Sequence, residues 1–434
     1  MSLIGPLFTA QTAINAFSED LNIAGDNIAN LNTVGFKTSR QSFADLLPTV
    51  DGSLEIGHGV RLGPTTQPFQ QGAIENSGND TDLAIQGNGY FILKNTAGDS
   101  YYTRAGQFQL DNNSNLANPS GLLLQGLGGN ISLAGAETIP ATPTSQLELN
   151  LNLDASAVSP TATFPGTGSV SQWMTASNFS TVTPVYDDAG NSHDLTFYFR
   201  KSAPNTWDYE VAANRSELDA TAPTSQELTS VRAAGQLVFK PDGQPDLSLS
   251  TIPNVGSITW IDGATTYTTA GVAISFTHTE TQTDPLGNPL TVVTGLTQYS
   301  GSSAASAIRQ DGMDAGTLTK IKISPDGVVS AQYSNGQIRN LDTVALALFP
   351  NVDDLDRAGG TLFRTTLQSG AAIVGAAGTD GRGSLLSGSL ELSTVDLAAE
   401  FVSLLTSQRS FQVNSKVITT ADQMYAVAAE LKPL

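Results

Sequence analysis

The sequence predicts a mainly β chain of the α+β class. Nested β domains lie between an N-terminal and a C-terminal α-helix that together form a coiled-coil-like inner domain. Three observations predict this. Apolar residues recur every seven positions at both ends. The stretch between reads as short alternating strands cut by Gly, Asn and Asp turns. Two stretches rich in Pro, Gly and Ser, "IPATPTSQ" and "SGSSAASA", bracket a middle region and mark it as an insertion.

The first helix begins with the chain. Leu7, Ile14, Leu21 and Ile28 stand seven apart, and Leu3, Ala10, Phe17, Ala24 and Leu31 interleave with them. Every a and d position of a heptad register is therefore apolar, which gives a helix of about 45 Å with a coiled-coil seam. "NIANLNTVGFKTSR" (27–40) then ends it. Asn30, Asn32 and Gly35 are residues that stop a helix and turn the chain, Phe36 is an anchor under that turn, and Lys37 and Arg40 suit the negative end of the helix dipole.

From about Gln67 the period changes to two. "DLAIQGNGYFILKN" sets a Gly-Asn-Gly turn between apolar runs, and "TKIKISPDGVVSAQYSNGQIRNLDTVALALF" reads as strands joined by turns at Asp326-Gly327 and Asn335-Gly336. In the middle region, Leu147, Leu149, Leu151 and Leu153 alternate as a half-buried strand. "HDLTFYFRKSAPNTWDYEV" is a hairpin with Leu195, Phe197 and Phe199 on one face and Trp207, Tyr209 and Val211 on its partner strand.

The C-terminal helix repeats the opening one. Leu397, Leu404, Phe411, Ile418 and Tyr425 are seven apart, with Val417, Met424 and Leu431 alongside and Phe401 and Leu405 widening the start. Its second core row is weaker, because Gln408, Ser415 and Asp422 fall on it, and Thr394 is placed to cap it. The resulting domains are 1–31 with 394–434 (helical inner domain), 32–70 with 360–393 (extended linker), 71–145 with 304–359 (β domain) and 146–303 (inserted outer β domain). The two helices pair either with each other, as a hairpin on a globular core, or with other chains. Their outer faces carry Ser, Thr, Asn and Gln with few i,i+4 ion pairs, so they are expected to gain order from sister subunits.

Composition excludes several functions. The 434 residues carry a formal net charge of -20, and a mean hydropathy of -0.07 still allows packed cores. No basic stripe exists to release counterions from nucleic acid, and an anionic membrane surface is disfavoured on the same ground. No run approaches 18 apolar residues, so no membrane insertion is expected. The chain has no cysteine, which removes disulfides and thiolate sites. The first basic residue is Lys37, so the N-terminus does not read as a cleaved signal peptide.

Enzymatic and metal chemistry find no support. His58, His193 and His278 sit in separate contexts without metal-ligand spacing. "YDDAGNSHDL" lacks the ligand order of a calcium loop and reads as a hairpin turn. "GNGYF" lies between strands and is no dinucleotide loop, and no G-x-S-x-G occurs. No catalytic, cofactor-binding or metal residue is assigned, and no cofactor is expected.

The stretches at 27–40, 71–93 ("QGAIENSGNDTDLAIQGNGYFIL"), 102–126 ("YTRAGQFQLDNNSNLANPSGLLLQG") and 388–424 ("GSLELSTVDLAAEFVSLLTSQRSFQVNSKVITTADQM") resemble the rod and hook axial proteins of the bacterial flagellum. "VYDDAGNSHDLTFYF" (185–199) is similar to the start of the inserted domain of hook proteins. The Lys-Pro-Leu terminus departs from the pattern. The resemblance implies a non-enzymatic subunit that self-assembles into a curved tube and acts as a universal joint between motor and filament. It implies an extracellular place in the hook, and export by the type III apparatus. The implied partners are other copies of the chain, rod, hook-cap and hook–filament junction proteins. The implied self-assembly residues are Leu7, Ile14, Phe17, Leu21, Ile28, Leu397, Leu404, Phe411, Ile418 and Tyr425, with Asn30, Asn32, Gly35 and Phe36 as turn and anchor. Rod proteins share the end motifs, so the long insertion is what favours hook over distal rod. A secreted adhesin or β-rich enzyme with helical ends is the reading from another class.

Overall fold

The computed structural model describes residues 4–46, 49–51, 54–56, 58–219, 227–231, 234–262, 265–269, 271–283 and 289–430. Leu3, Leu431 and the Lys-Pro-Leu terminus lie outside them. The chain is mainly β, with helix α1 (Ile4–Ala29) at one end, a short helix α2 (Val170–Ala176) inside, and α3 (Leu397–Glu430) at the other end. It divides into two compact units. One comprises Met1–Glu137, Thr319–Gln332 and Ile338–Leu434, and the other Thr138–Leu318 and Tyr333–Gln337. The structure thus cuts at 138 and 318, where sequence composition puts the cuts at 146 and 303.

In the first unit, the strand Tyr90–Lys94 is central. It pairs antiparallel with Ser100–Thr103, Leu123–Gly126 and Ala345–Leu348. Its apolar run is continuous because both faces are covered. On one side Tyr90, Tyr102, Phe349 and Phe363 pack with Phe69, and Tyr102 meets Phe349 edge-on at 4.8 Å. Elsewhere Phe91 meets Phe108 edge-on at 5.3 Å. Gly106 makes this packing possible, since a Cβ there would lie 1.6 Å from the Leu83 carbonyl oxygen. Residues 360–393 are no linker: Leu362–Arg364 pairs with Ser100–Thr103, Ser384–Ser387 with Leu83–Gln86, and Ser389–Glu391 with Ile74–Asn76. Their strands are three or four residues long, too short for a periodic signal.

In the second unit, Gln146–Asn152 buries Leu147, Leu149 and Leu151 on one face, as its alternation predicts. The meander Phe179–Tyr186, Ser192–Ala203 and Thr206–Asn214 faces them with Leu195, Phe197, Phe199, Trp207, Tyr209 and Val211, and all belong to one core. Fully burying each such side chain contributes roughly 1.5–3 kcal/mol. The meander's other face is covered too: Trp173 of α2 stacks on Tyr198 at 5.0 Å. Sequence periodicity misses α2, which is only seven residues long.

The turns follow their residue types. Gly327 and Gly336 take the positive φ, while Asn335 fixes its turn by accepting the Gln337 N–H. In "YDDAGNSHDL", Asp187 closes the hairpin turn, its carboxylate accepting the N–H groups of Ala189 and Asn191. The flanking stretches are tied together. Ala304–Gln310 pairs with Gln146–Asn152, and Asp311 accepts the backbone N–H groups of both Ser145 and Gln146 at 2.8 Å. "SGSSAASA" is therefore partly a paired strand, because small residues suit a close edge as well as a loop.

Candidate self-assembly surface

Helices α1 and α3 pack against each other within the first unit. Two hydrogen bonds fix their direction. Asn27 Nδ2 donates to Glu400 Oε1 at 3.1 Å, and the Ser407 hydroxyl donates to the Asp20 carboxylate. These residues are seven apart on each helix and in opposite order, so the helices run antiparallel. The side chains buried between and around them are small: Ala10, Ala16 and Ala24 on α1, Ser407 and Ala421 on α3. Small side chains let two backbones approach. Helix α1 also rests on the hairpin Arg40–Asp45 with Val60–Thr66, where Phe17 meets Phe43 at 5.8 Å.

Sequence leaves the seams to sister subunits; the structure closes much of them inside the chain. Leu7, Ile14, Phe17, Leu21 and Ile28 are half-buried, as are Leu404, Phe411 and Ile418 on the row of α3 turned to α1. Leu397 and Tyr425 are exposed. The second core row of α3 is Glu400, Ser407, Asn414 and Ala421, not Gln408, Ser415 and Asp422: Gln408 and Asp422 face solvent. A search for apolar residues passes over the true row, because small and polar side chains fill it.

What remains open is the opposite side of α3. Val402 (64%), Leu405 (50%), Val413 (64%), Met424 (51%) and Val427 (56%) are exposed there, with Phe401 and Val417 beside them. At 3.6 residues per turn they occupy one half of the helix circumference, facing away from α1. Exposed Arg409, Lys416 and Thr420 lie among them, and so many exposed large apolar side chains on one side mark a candidate interaction site.

The turn after α1 anchors the pair to the β structure. Asn30 Nδ2 donates to the Asp26 carbonyl at 2.9 Å, and its Oδ1 accepts the Thr33 hydroxyl. Gly35 has φ +70, and a Cβ on it would stand 2.5 Å from the Ala105 nitrogen. Its N–H donates to the Glu391 carbonyl at 2.8 Å. Phe36 is half-buried and accepts the Thr394 N–H, whereas Asn32 is exposed. Asn27 reads the chain beyond the turn with both ends of its amide, donating to the Ser39 carbonyl and accepting the Ser39 N–H, each at 2.9 Å.

Lys37 is not at the helix dipole. Its ammonium is buried 2.5 Å from Glu391 Oε1 and 2.5 Å from the Gln70 carbonyl, and Arg104 Nη1 reaches the other Glu391 oxygen at 3.4 Å. Gly72 N–H adds a third donor to that carboxylate. Burial pulls the Lys37 pKa below the ordinary lysine value, against the opposing pull of Glu391. Arg40 is exposed at the start of a strand. Thr394 does not cap α3 either. Asp396 does, accepting the N–H groups of Ala398 and Ala399, while Thr394 bonds Thr38.

The geometry describes a helix pair locked at its base with large apolar side chains exposed on one outer side, which suits assembly. Among the described residues no helix is long and apolar enough to cross a membrane. Four family descriptions match the sequence: "Flagella basal body rod protein" at 7–37, "Flagellar hook protein FlgE/F/G D1 domain" at 84–170, "Flagellar basal body protein FlaE D2 domain" at 150–313, and "Flagellar basal body rod FlgEFG protein C-terminal" at 386–431. The flagellar hook protein FlgE of Escherichia coli (strain K12) is 33% identical, covering 98% of this chain and 99% of that protein. The same protein of Salmonella typhimurium is 34% identical over 98% of this chain and 99% of its own length. That of Treponema pallidum is 30% identical, again over 98% and 99%.

Proposed function

Since this chain belongs to the flagellar hook protein family and is a structural subunit of the bacterial flagellar hook, we propose that its copies join through the open side of α3 into a curved tube that works as a universal joint. The observation that carries this reading is that side itself: α1 already covers the opposite side, so the exposed valines and leucine of α3 are left for a second copy. Leu7, Ile14, Phe17, Leu21, Ile28, Leu404, Phe411 and Ile418 are half-open, and Leu397 and Tyr425 more so, which lets neighbouring subunits complete a coiled-coil-like inner layer.

In such a tube, interdigitated apolar helices resist twist, because packed cores deform little. Outer β domains with polar contacts slide more readily when the tube bends. The chain would leave the cell through the type III apparatus and meet rod, hook-cap and hook–filament junction proteins at the ends of the tube. Its relatives are structural proteins, and their matches indicate no catalytic family.

The test is Leu405→Asp and Val402→Asp in the full chain. Both are solvent-facing, so circular dichroism and melting temperature should stay at wild-type values, while sedimentation and negative-stain microscopy should show no tubes. A charge buried without a partner at the contact is the cause. Normal tube assembly by both variants would sink the proposal.

A further inference from the structure

The second unit carries a cluster of ionisable groups around one histidine. His193, on the strand Ser192–Ala203, lies between two carboxylates. Its Nε2 is 3.2 Å from Asp187 Oδ2, in the hairpin turn, and its Nδ1 is 2.9 Å from Glu217 Oε2, on the 3-10 turn Arg215–Glu217. One face of the ring stacks on Trp260, with centroids 3.9 Å apart and planes 2° from parallel. Trp260 is fully buried on the strand Ile258–Asp262 and is held by donating Nε1–H to Thr269. Four separate elements thus meet at one imidazole.

The proton count of this arrangement is decisive. A neutral imidazole has one N–H and one lone pair. It can donate to only one of the two carboxylates, and its lone pair would then face the oxygen of the other. The imidazolium donates to both. The remaining charges around it are committed elsewhere. Asp187 accepts from Ala189 and Asn191, Asp188 accepts from Thr268, and Arg215 is turned to Glu227 and Asp219. Asp194 and Asp262 are exposed.

We infer that His193 is a proton-operated clasp, which fastens the 187–191 turn and the 215–217 helical turn to the Trp260 strand when doubly protonated and releases Glu217 when neutral. Asp187 is fully buried and fixed by its turn, whereas Glu217 is 36% exposed and free to turn to water, so the release falls on Glu217. Burial alone disfavours the imidazolium, but the hydrogen bonds and charges of Glu217 and Asp187 outweigh it and hold the His193 pKa above its ordinary value of 6.5. A raised folded-state pKa contributes stability that is complete below the unfolded value and is lost as pH rises through the folded one. The second unit is therefore tighter in mildly acidic medium and looser in alkaline medium. This holds whether or not the chain assembles as proposed above.

The experiment follows Trp260 emission, His193 ring NMR shifts and the melting of the full chain across pH. Protonated imidazole quenches a stacked indole, so emission should rise in one step with a midpoint above 6.5, absent in Trp260→Phe and His193→Gln. The melting midpoint of the second unit should fall over the same step in the wild type and stay level across it in His193→Gln. Glu217→Gln, at a partly exposed site, keeps the fold and should move the His193 midpoint down. A His193 midpoint at or below 6.5, or one unmoved by Glu217→Gln, overturns the inference. Equal pH dependence of melting in wild type and His193→Gln overturns it as well.

Discussion

Glu391 shows what a single residue does here. It sits in the sequence as one acid among forty, three residues from the predicted cap. In the structure it is fully buried and binds Lys37, Arg104 and the Gly72 N–H, so it ties the chain leaving α1 to the strand that precedes α3. Two cations depend on one anion. Glu391→Gln should therefore cost about 3 to 5 kcal/mol in denaturant unfolding, because it leaves both cations buried without a counter-charge. Lys37→Met should cost less, since Arg104 and Gly72 still satisfy the carboxylate. The double variant should cost less than the two losses added, because the residues share one network. Strict additivity would show that they do not act together. The partners Lys37 and Glu391 are 354 positions apart, so no local pattern marks them.

At the scale of elements, α3 is the informative case. The heptad row Leu404, Phe411 and Ile418 is legible, since period 3.5 is a property of the sequence. Its neighbours on the buried side are not, because the deciding feature of Ser407 and Ala421 is their size against α1. Ala16, which is 1% exposed on α1, tests this. Ala16→Leu should destabilise by about 1 to 3 kcal/mol through overpacking, and hydrogen exchange along α1 should speed up. A variant as stable as the wild type would mean that the helices pack less closely than their small residues imply. The flanking stretches at 139–146 and 300–307 teach the converse. Their Pro, Gly and Ser content marks them only as the bounds of an insertion, yet Asp311 and strand pairing fasten them, and only the partner strand reveals that.

At the scale of the whole molecule, the chain is two compact units strung in nested order, with both terminal helices in the first. Replacing 138–318 by a short Gly-Ser connection should leave the α1–α3 pair folded and able to assemble, by circular dichroism and microscopy. The hook should become straighter or mechanically weaker, and cells should swim poorly. Unchanged curvature and swimming would remove the second unit from the mechanism. By itself the sequence determined the class and order of elements: heptads at both ends, the alternating leucines of Gln146–Asn152, the aromatic hairpin and the glycine turns. Each is a local regularity imposed by backbone period or by a steric demand at one residue. Tertiary structure alone decided that α1 and α3 close on each other, that Glu391 locks their base, and which side of α3 stays open. Those outcomes depend on side-chain volume and buried charge between segments hundreds of positions apart, where chain geometry and not sequence spacing sets who meets whom.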